Sequence, residues 1–317
     1  MIKKLILIIL LSVILSGCYD QTDIENLKNV SIICVDNSNI YFCCVTSKKD
    51  DNKYSYDLYT VNTDDLYYGI ENISKITGKV ISLSHVEAVI FSDQCDYNYI
   101  KKTVNSLLEG TNTHPKIMTA FYNGNFKDFF ETIKVPSDIS ISKFVDKILL
   151  NNNSVIPMCS AMELSCALNF DIPGYLIPLL SINNGNIEVG ESYFVNNQGI
   201  NLINKTVTGI TSLINTKNGN SYIYWNNNYV PVEIENVRYN VDKSNVNILI
   251  DLKDINQKTI FDYNENEINI LNSEGLDLLG AESYLNKDFI DVNSKKEYLK
   301  KMKNEWISSV KFNIEVY

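Results

Sequence analysis

The chain has 317 residues, 45% hydrophobic and 21% charged, with 13 Gly and 6 Pro. That composition excludes a collagen-like or wholly disordered chain, leaves enough apolar material for a core, and at this length points to two domains. Asp plus Glu number 38 against 28 Lys plus Arg, for a formal net charge of -10, and Arg238 is the sole arginine; a nucleic-acid binder would show the opposite balance.

The N-terminus carries the densest signal. Lys3 and Lys4 precede an apolar run from Leu5 to Leu15 that only Ser12 interrupts, the shape of a secretory signal and too short for a comfortable membrane span. It ends in Leu15-Ser16-Gly17-Cys18, which resembles the bacterial lipobox. The resemblance implies residues 1–17 as a lipoprotein signal peptide, cleavage before Cys18, a diacylglyceryl group on the Cys18 thiol and an acyl chain on its amine. The alternatives are a secreted protein with a chance cysteine at its cleavage site and an uncleaved anchor. Cleavage would remove two lysines and no acid, so attachment is assigned to the acyl chains rather than to headgroup electrostatics. No later run approaches the roughly 18 apolar residues of a membrane helix.

Along the mature chain the pattern predicts mixed helix and strand. Val30 to Val35 and Ile40 to Thr46 read as strands of a hairpin around Asp36-Asn37-Ser38-Asn39, and Tyr54 to Val61 as a third strand. Leu66, Ile70 and Ile73 follow helical spacing after a cap at Asp64 and before a stop at Gly78. Val86 to Phe91 reads as a strand; Asp96 caps a helix that turns Ile100, Val104, Leu107 and Leu108 inward and stops at Gly110. Met118 to Tyr122 reads as extended, and Phe126 to Ile133, Ile141 to Leu150 and Ala161 to Leu168 as helices. After Pro173 and Pro178 short β segments dominate: Ser192 to Val195, Tyr222 to Trp225, Val230 to Ile234 and Val246 to Leu252. Ser294-Lys295-Lys296-Glu297 is a capping box opening a helix that carries Trp306, and Val310 to Tyr317 closes as a strand. The predicted class is α+β, with a mixed helix and strand region over 18–184 and a β-rich region over 185–317 that ends in a helix and a strand.

Chemistry-bearing patterns are sparse. Cys34, Cys43, Cys44 and Cys166 sit in apolar patterns and read as buried thiols, and no C-x-x-C pair is present. Export permits disulfides, yet the spacing of the cysteines offers no framework for them. His85 and His114 are the only histidines; His85 is expected to be a hydrogen-bonded structural residue and His114 to face solvent. Trp225, Trp306 and His85 are assigned to the fold rather than to contacts. No nucleophile elbow, zinc helix motif, phosphate loop or dinucleotide fingerprint is found. Asp262-Tyr263-Asn264-Glu265-Asn266 begins like a calcium loop, but Glu267 stands where that loop needs glycine and Ser273 where it needs a bidentate carboxylate. No catalytic residue, metal ligand or cofactor-binding residue is assigned.

Several stretches, in order, resemble the Ger(x)C lipoproteins, the C subunits of GerA-type nutrient germinant receptors of spore-forming bacteria. Gly17-Cys18-Tyr19-Asp20 through Leu27, then Val30 and Val35-Asp36, is similar to the family's start, with Tyr19 in place of the usual Trp. Ser84-His85 followed by an apolar strand, Asp171-Ile172-Pro173 with Ile177-Pro178-Leu179-Leu180, and Gly275 to Gly280 with the Trp306 helix resemble later motifs. Leu252 to Gly275 is short for the family's long helix, and Asn204 to Gly209 replaces its glutamate-threonine-arginine stretch. The resemblance implies a non-catalytic lipoprotein subunit that acts in germination. It would sit on the outer face of the spore inner membrane beside A-type and B-type integral membrane subunits, held by the lipid on Cys18, with no cofactor and no nucleic acid. The other readings are an extracytoplasmic solute-binding lipoprotein, which needs two similar lobes around a cleft, and, behind it, a cell-wall enzyme.

Overall fold

The computed structural model describes residues 26–47, 54–109, 113–151, 159–169, 175–196, 199–205, 208–209, 219–225, 228–242, 245–254 and 309–316. Strands β1 (Leu27–Val35) and β2 (Asn39–Ser47) form the expected hairpin, and β3 (Tyr54–Asn62) pairs antiparallel with β2. The turn is held by Asp36, whose carboxylate accepts from the backbone N–H of Ser38 at 2.9 Å and of Asn39 at 2.6 Å, and from the Tyr41 hydroxyl at 3.1 Å. An aspartate that satisfies its own following amides makes such a turn without a glycine.

Helix α1 (Leu66–Thr77) is capped by Asp65, which accepts from the Tyr68 N–H, and not by Asp64. Asp64 instead pairs with Lys102 at 3.0 Å. Two adjacent aspartates offer the same local signal, and it is Asp65, extended at φ -110° and ψ 117°, that takes the cap. Gly78 ends the helix in the left-handed region, φ 65°. The short β4 (Val80–Ser82) then pairs parallel with the start of β1. Three residues carry too little periodicity to be foreseen. Next come β5 (Ala88–Ser92), α2 (Tyr97–Glu109), β6 (Met118–Tyr122), α3 (Phe126–Thr132), α4 (Ile141–Asn151), α5 (Ala161–Asn169), β7 (Tyr175–Asn183), β8 (Asn186–Asn196) and β9 (Gly199–Ile203).

These strands make a nine-stranded sheet in the order β3-β2-β1-β5-β6-β7-β8-β9, with β4 beside β1. β1, β5, β6 and β7 are parallel at its centre, and the outer strands are antiparallel. Both faces are covered, so the central strands read as continuous apolar runs rather than as alternating ones. Ile33, Val35, Phe42 and Phe91 meet Ile73 of α1, Ile100 and Val104 of α2 and Leu164 of α5 on one face. Ile32, Cys34, Tyr41 and Ile90 meet Phe126 and Phe129 of α3 and Val145 and Leu149 of α4 on the other.

Strands β10 (Gly219–Trp225), β11 (Asn228–Asp242), β12 (Asn245–Asp254) and β13 (Ser309–Val316) form a second sheet in that order, with β12 and β13 parallel. The fold is α+β, as expected. The 184/185 division falls at the two-residue turn of the β7–β8 hairpin, Asn184 at φ 53° and Gly185 at φ 86°, and β8 and β9 continue the first sheet. The lipobox, Gly110, the Ser294 to Glu297 capping box, Trp306 and the stretch from 255 to 308 lie outside the described residues.

Candidate functional site: the two ends of the first sheet

Cys18, the one residue singled out for modification, lies outside the described residues. Nine residues later the chain has entered β1, a strand flanked on both sides. At that entry Lys28 donates to the Asp57 carboxylate at 2.5 Å and stands 5.5 Å from the centre of the Tyr59 ring.

Parallel alignment of β1, β5 and β6 sorts their loops to opposite ends of the sheet. The end where these strands finish is acidic, with Asp36 after β1, Asp93 and Asp96 after β5, Asp128 at the start of α3, and Asp64 and Asp65 before α1. Asp96 accepts the Tyr99 N–H at 2.8 Å, the foreseen cap of α2. Cys95 donates to the Val35 carbonyl at 3.3 Å, and burial pushes its thiol up to about 12. Burial, with Asp36 beside it, pushes the Tyr41 phenol up to about 12 as well. The Tyr99 hydroxyl is buried with no hydrogen-bond partner among the described residues.

The end where the strands begin is different. His85 stands exposed in the turn from Leu83 to Glu87, ahead of β5 rather than inside it. The turn is closed by Val86 N–H on the Leu83 carbonyl at 3.1 Å and tied to β1 by Glu87 N–H on the Ser31 carbonyl at 2.9 Å. The expectation of a structural histidine is therefore corrected: the strand starts at Ala88 because backbone pairing with β1 starts there, and His85 points away from the core. His114 is exposed as expected, its Nδ1 accepting from Lys116 N–H at 3.2 Å. Lys75, Lys79 and Lys116 are exposed at this end, and so are two aliphatic side chains, Ile76 and Val80. Sequence periodicity did not single out this pair. Ile76 follows Ile73 at helical spacing and reads as core, but it lies in the last turn of α1.

Among the described residues the cysteines are mostly buried. Cys34, Cys43, Cys44, Cys95 and Cys159 are buried free thiols and Cys166 is partly exposed; burial raises the thiols of Cys34, Cys43, Cys44 and Cys95, the opposite of what an activated nucleophile needs. Cys43 and Cys44 lie on opposite faces of the sheet. Among the described residues no group of three His, Cys, Asp or Glu could hold a metal ion, and no helix is long and apolar enough to cross a membrane.

Comparison with known proteins addresses what this arrangement belongs to. No curated protein matches the chain. A solved structure titled "Crystal Structure of the GerBC protein" aligns over 90% of this chain and 95% of that one at 11% identity, with a TM-score of 0.38, too low to define the fold. The family model described as "Spore germination protein N-terminal domain" matches residues 20–182, about half of the chain. It starts two residues after Cys18, contains the Ser84-His85 motif and the Asp171 to Leu180 stretch, and stops within β7. The chain belongs to the Ger(x)C family of spore germination proteins.

Proposed function

We propose that this protein is a lipid-anchored, non-catalytic subunit of a spore nutrient germinant receptor. It is held on the outer face of the spore inner membrane by a diacylglyceryl group on Cys18 and assembled with A-type and B-type integral membrane subunits. The observation that carries the reading is the family match beginning at residue 20, directly behind the Leu15-Ser16-Gly17-Cys18 lipobox. Support comes from the quiet chemistry of the described residues. Burial raises the thiols of Cys34, Cys43, Cys44 and Cys95, and Asp36, Asp65 and Asp96 are spent on turns and caps. We propose two structural units, the family domain built on the first sheet and a β-rich unit built on the second, with function residing in surfaces that meet partners. The solute-binding alternative gains no support, since the nine-stranded and four-stranded sheets are not similar lobes.

Deletion of the gene with complementation by wild type and by Cys18→Ala tests the proposal. Deletion is expected to abolish a nutrient germination response. The variant is expected to lose both membrane retention and rescue. Full rescue by a Cys18→Ala protein that stays with the membrane would remove the lipid from the account. Unchanged germination on deletion would remove the receptor role.

A further inference from the structure

We propose that the end of the first sheet where β1, β4 and β5 begin is seated on an anionic bilayer surface, with Ile76 and Val80 at the level of the headgroups. This rests on the reading that Cys18 carries the lipid. It adds an orientation: one pole of the domain against the membrane and the acidic pole away from it.

Three independent features converge on that pole. The first is reach. The nine residues from Cys18 to Leu27 span about 30 Å at most when fully extended, and β1 then runs a further ~30 Å away from its start. The start of β1 is thus the part of the sheet that a lipid on Cys18 holds nearest the bilayer. The second is exposed apolar surface at that start. Val80 pairs in register with Leu27, and Val80 is 51% and Ile76 63% exposed. The turn between them is fixed by Gly78, whose N–H reaches the Ser74 carbonyl at 2.9 Å, and by the Ser74 hydroxyl donating to the Lys79 carbonyl at 2.7 Å. Both aliphatic side chains are therefore displayed from one rigid corner, the arrangement a headgroup layer accepts.

The third feature is charge. Lys75, Lys79 and Lys116 are exposed at this pole and are balanced by the exposed Glu71, which pairs with Lys75 at 2.7 Å, the exposed Glu109 at the end of α2 and the half-buried Glu87, so the pole is close to neutral. The opposite pole carries the run of aspartates after β1 and β5, which Lys102 on Asp64 and the exposed Lys127 offset only in part. A chain of formal net charge -10 before cleavage, and more acidic once Lys3 and Lys4 are removed, is repelled by an anionic surface as a whole, but a domain polarised in this way is turned by the same field, its acidic pole outward and its near-neutral pole inward. The orientation needs no net attraction, because the acyl chains supply the binding.

The test uses the full mature chain, acylated at Cys18, in phosphatidylcholine vesicles containing phosphatidylglycerol, with brominated lipids as a contact quencher. Ile76→Trp and Val80→Trp place reporters at the proposed contact, Asn123→Trp places one at the opposite pole, and wild type supplies the background of the native tryptophans. Emission from positions 76 and 80 is expected to fall roughly twofold or more on bromination, as side chains at the headgroup boundary would, while position 123 follows the background. The quenching is expected to weaken when phosphatidylglycerol is omitted. If the protein floats with the vesicles and positions 76 and 80 are not quenched, the orientation is wrong while the Cys18 reading stands. If those positions are already blue-shifted without vesicles and stay unquenched with them, residues 19–25 or a second copy covers this corner and the proposal falls. Quenching indifferent to phosphatidylglycerol would overturn the charge argument. Failure to float, with Cys18 unmodified by mass spectrometry, overturns the lipid reading and this one together.

Discussion

The two faces of the first sheet are built from the same strands yet filled by different chemistry. On the side of α1, α2 and α5 the helices contribute mainly aliphatic side chains, Ile73, Ile100, Val104, Leu107 and Leu164, and the aromatic rings come from the strands, with Phe121 and Tyr193 4.8 Å apart. On the side of α3 and α4 the short α3 adds three phenylalanines to the aliphatic side chains of α4, with Tyr122 and Phe129 rings 4.9 Å apart, Phe129 and Phe130 5.3 Å apart, and Tyr41 and Phe126 5.3 Å apart. α3 has 7 residues against 12 and 13 for α1 and α2, and it covers its share of the sheet with large side chains. A short helix with three phenylalanines buries area that a longer one spreads over more positions.

The sharpest way to break this comparison is Phe129→Ala. Phe129 is fully buried at the centre of the ring cluster, and its truncation is expected to cost about 3–5 kcal/mol, read as a fall in the urea midpoint. On the aliphatic face Val104→Ala removes less and is expected to cost less, which the same denaturation series checks.

Alkali probes the thiols on each face. Burial pushes Cys44 up to about 11 and Cys95 up to about 12 on the aliphatic face, and raises Cys34 and Cys43 on the aromatic one. A thiol whose folded pKa lies above its ordinary value of 9.0 stabilises the fold in full below that value, and the contribution is lost as the pH rises through the folded pKa. The urea midpoint is therefore expected to drop between pH 9 and 12, and Cys95→Ala is expected to flatten that drop. An unchanged slope in the variant would show that other groups carry it. The smallest effect is Gly78→Ala. Nothing lies within 4 Å of the added methyl group, but φ is 65°, so the cost is backbone strain alone, about 1 kcal/mol, read as a lowered melting temperature.

Much of the first sheet was legible in the sequence because its signals are local. The Asp36 turn, the Asp96 cap and the Gly78 stop each act through atoms within a few residues, and the pattern places them correctly. What was not legible depends on pairing between distant segments. β4 exists because it lies beside Leu27 to Asn29, and β8 and β9 belong with the first sheet because the Asn184–Gly185 turn folds them onto β7. The apolar pattern starts this strand at Val86, but the ladder with β1 begins at Ala88. The site was legible only through the Gly17-Cys18 pattern and the family motifs around it. The corner formed by Ile76 and Val80 has no signature of its own, since exposure of a residue that fits an apolar stripe is decided by where the helix ends relative to the sheet.

The entry of the chain at Leu27 also has a mechanical meaning. β1 is an interior strand, laddered to β2 on one side and to β4 and β5 on the other. A pull on its N-terminus acts along the strand axis, so the hydrogen bonds of both ladders share the load in shear instead of opening one at a time like a zipper. Force arriving from that end is transmitted whole to the centre of the sheet, which moves as a rigid body before any single strand peels away.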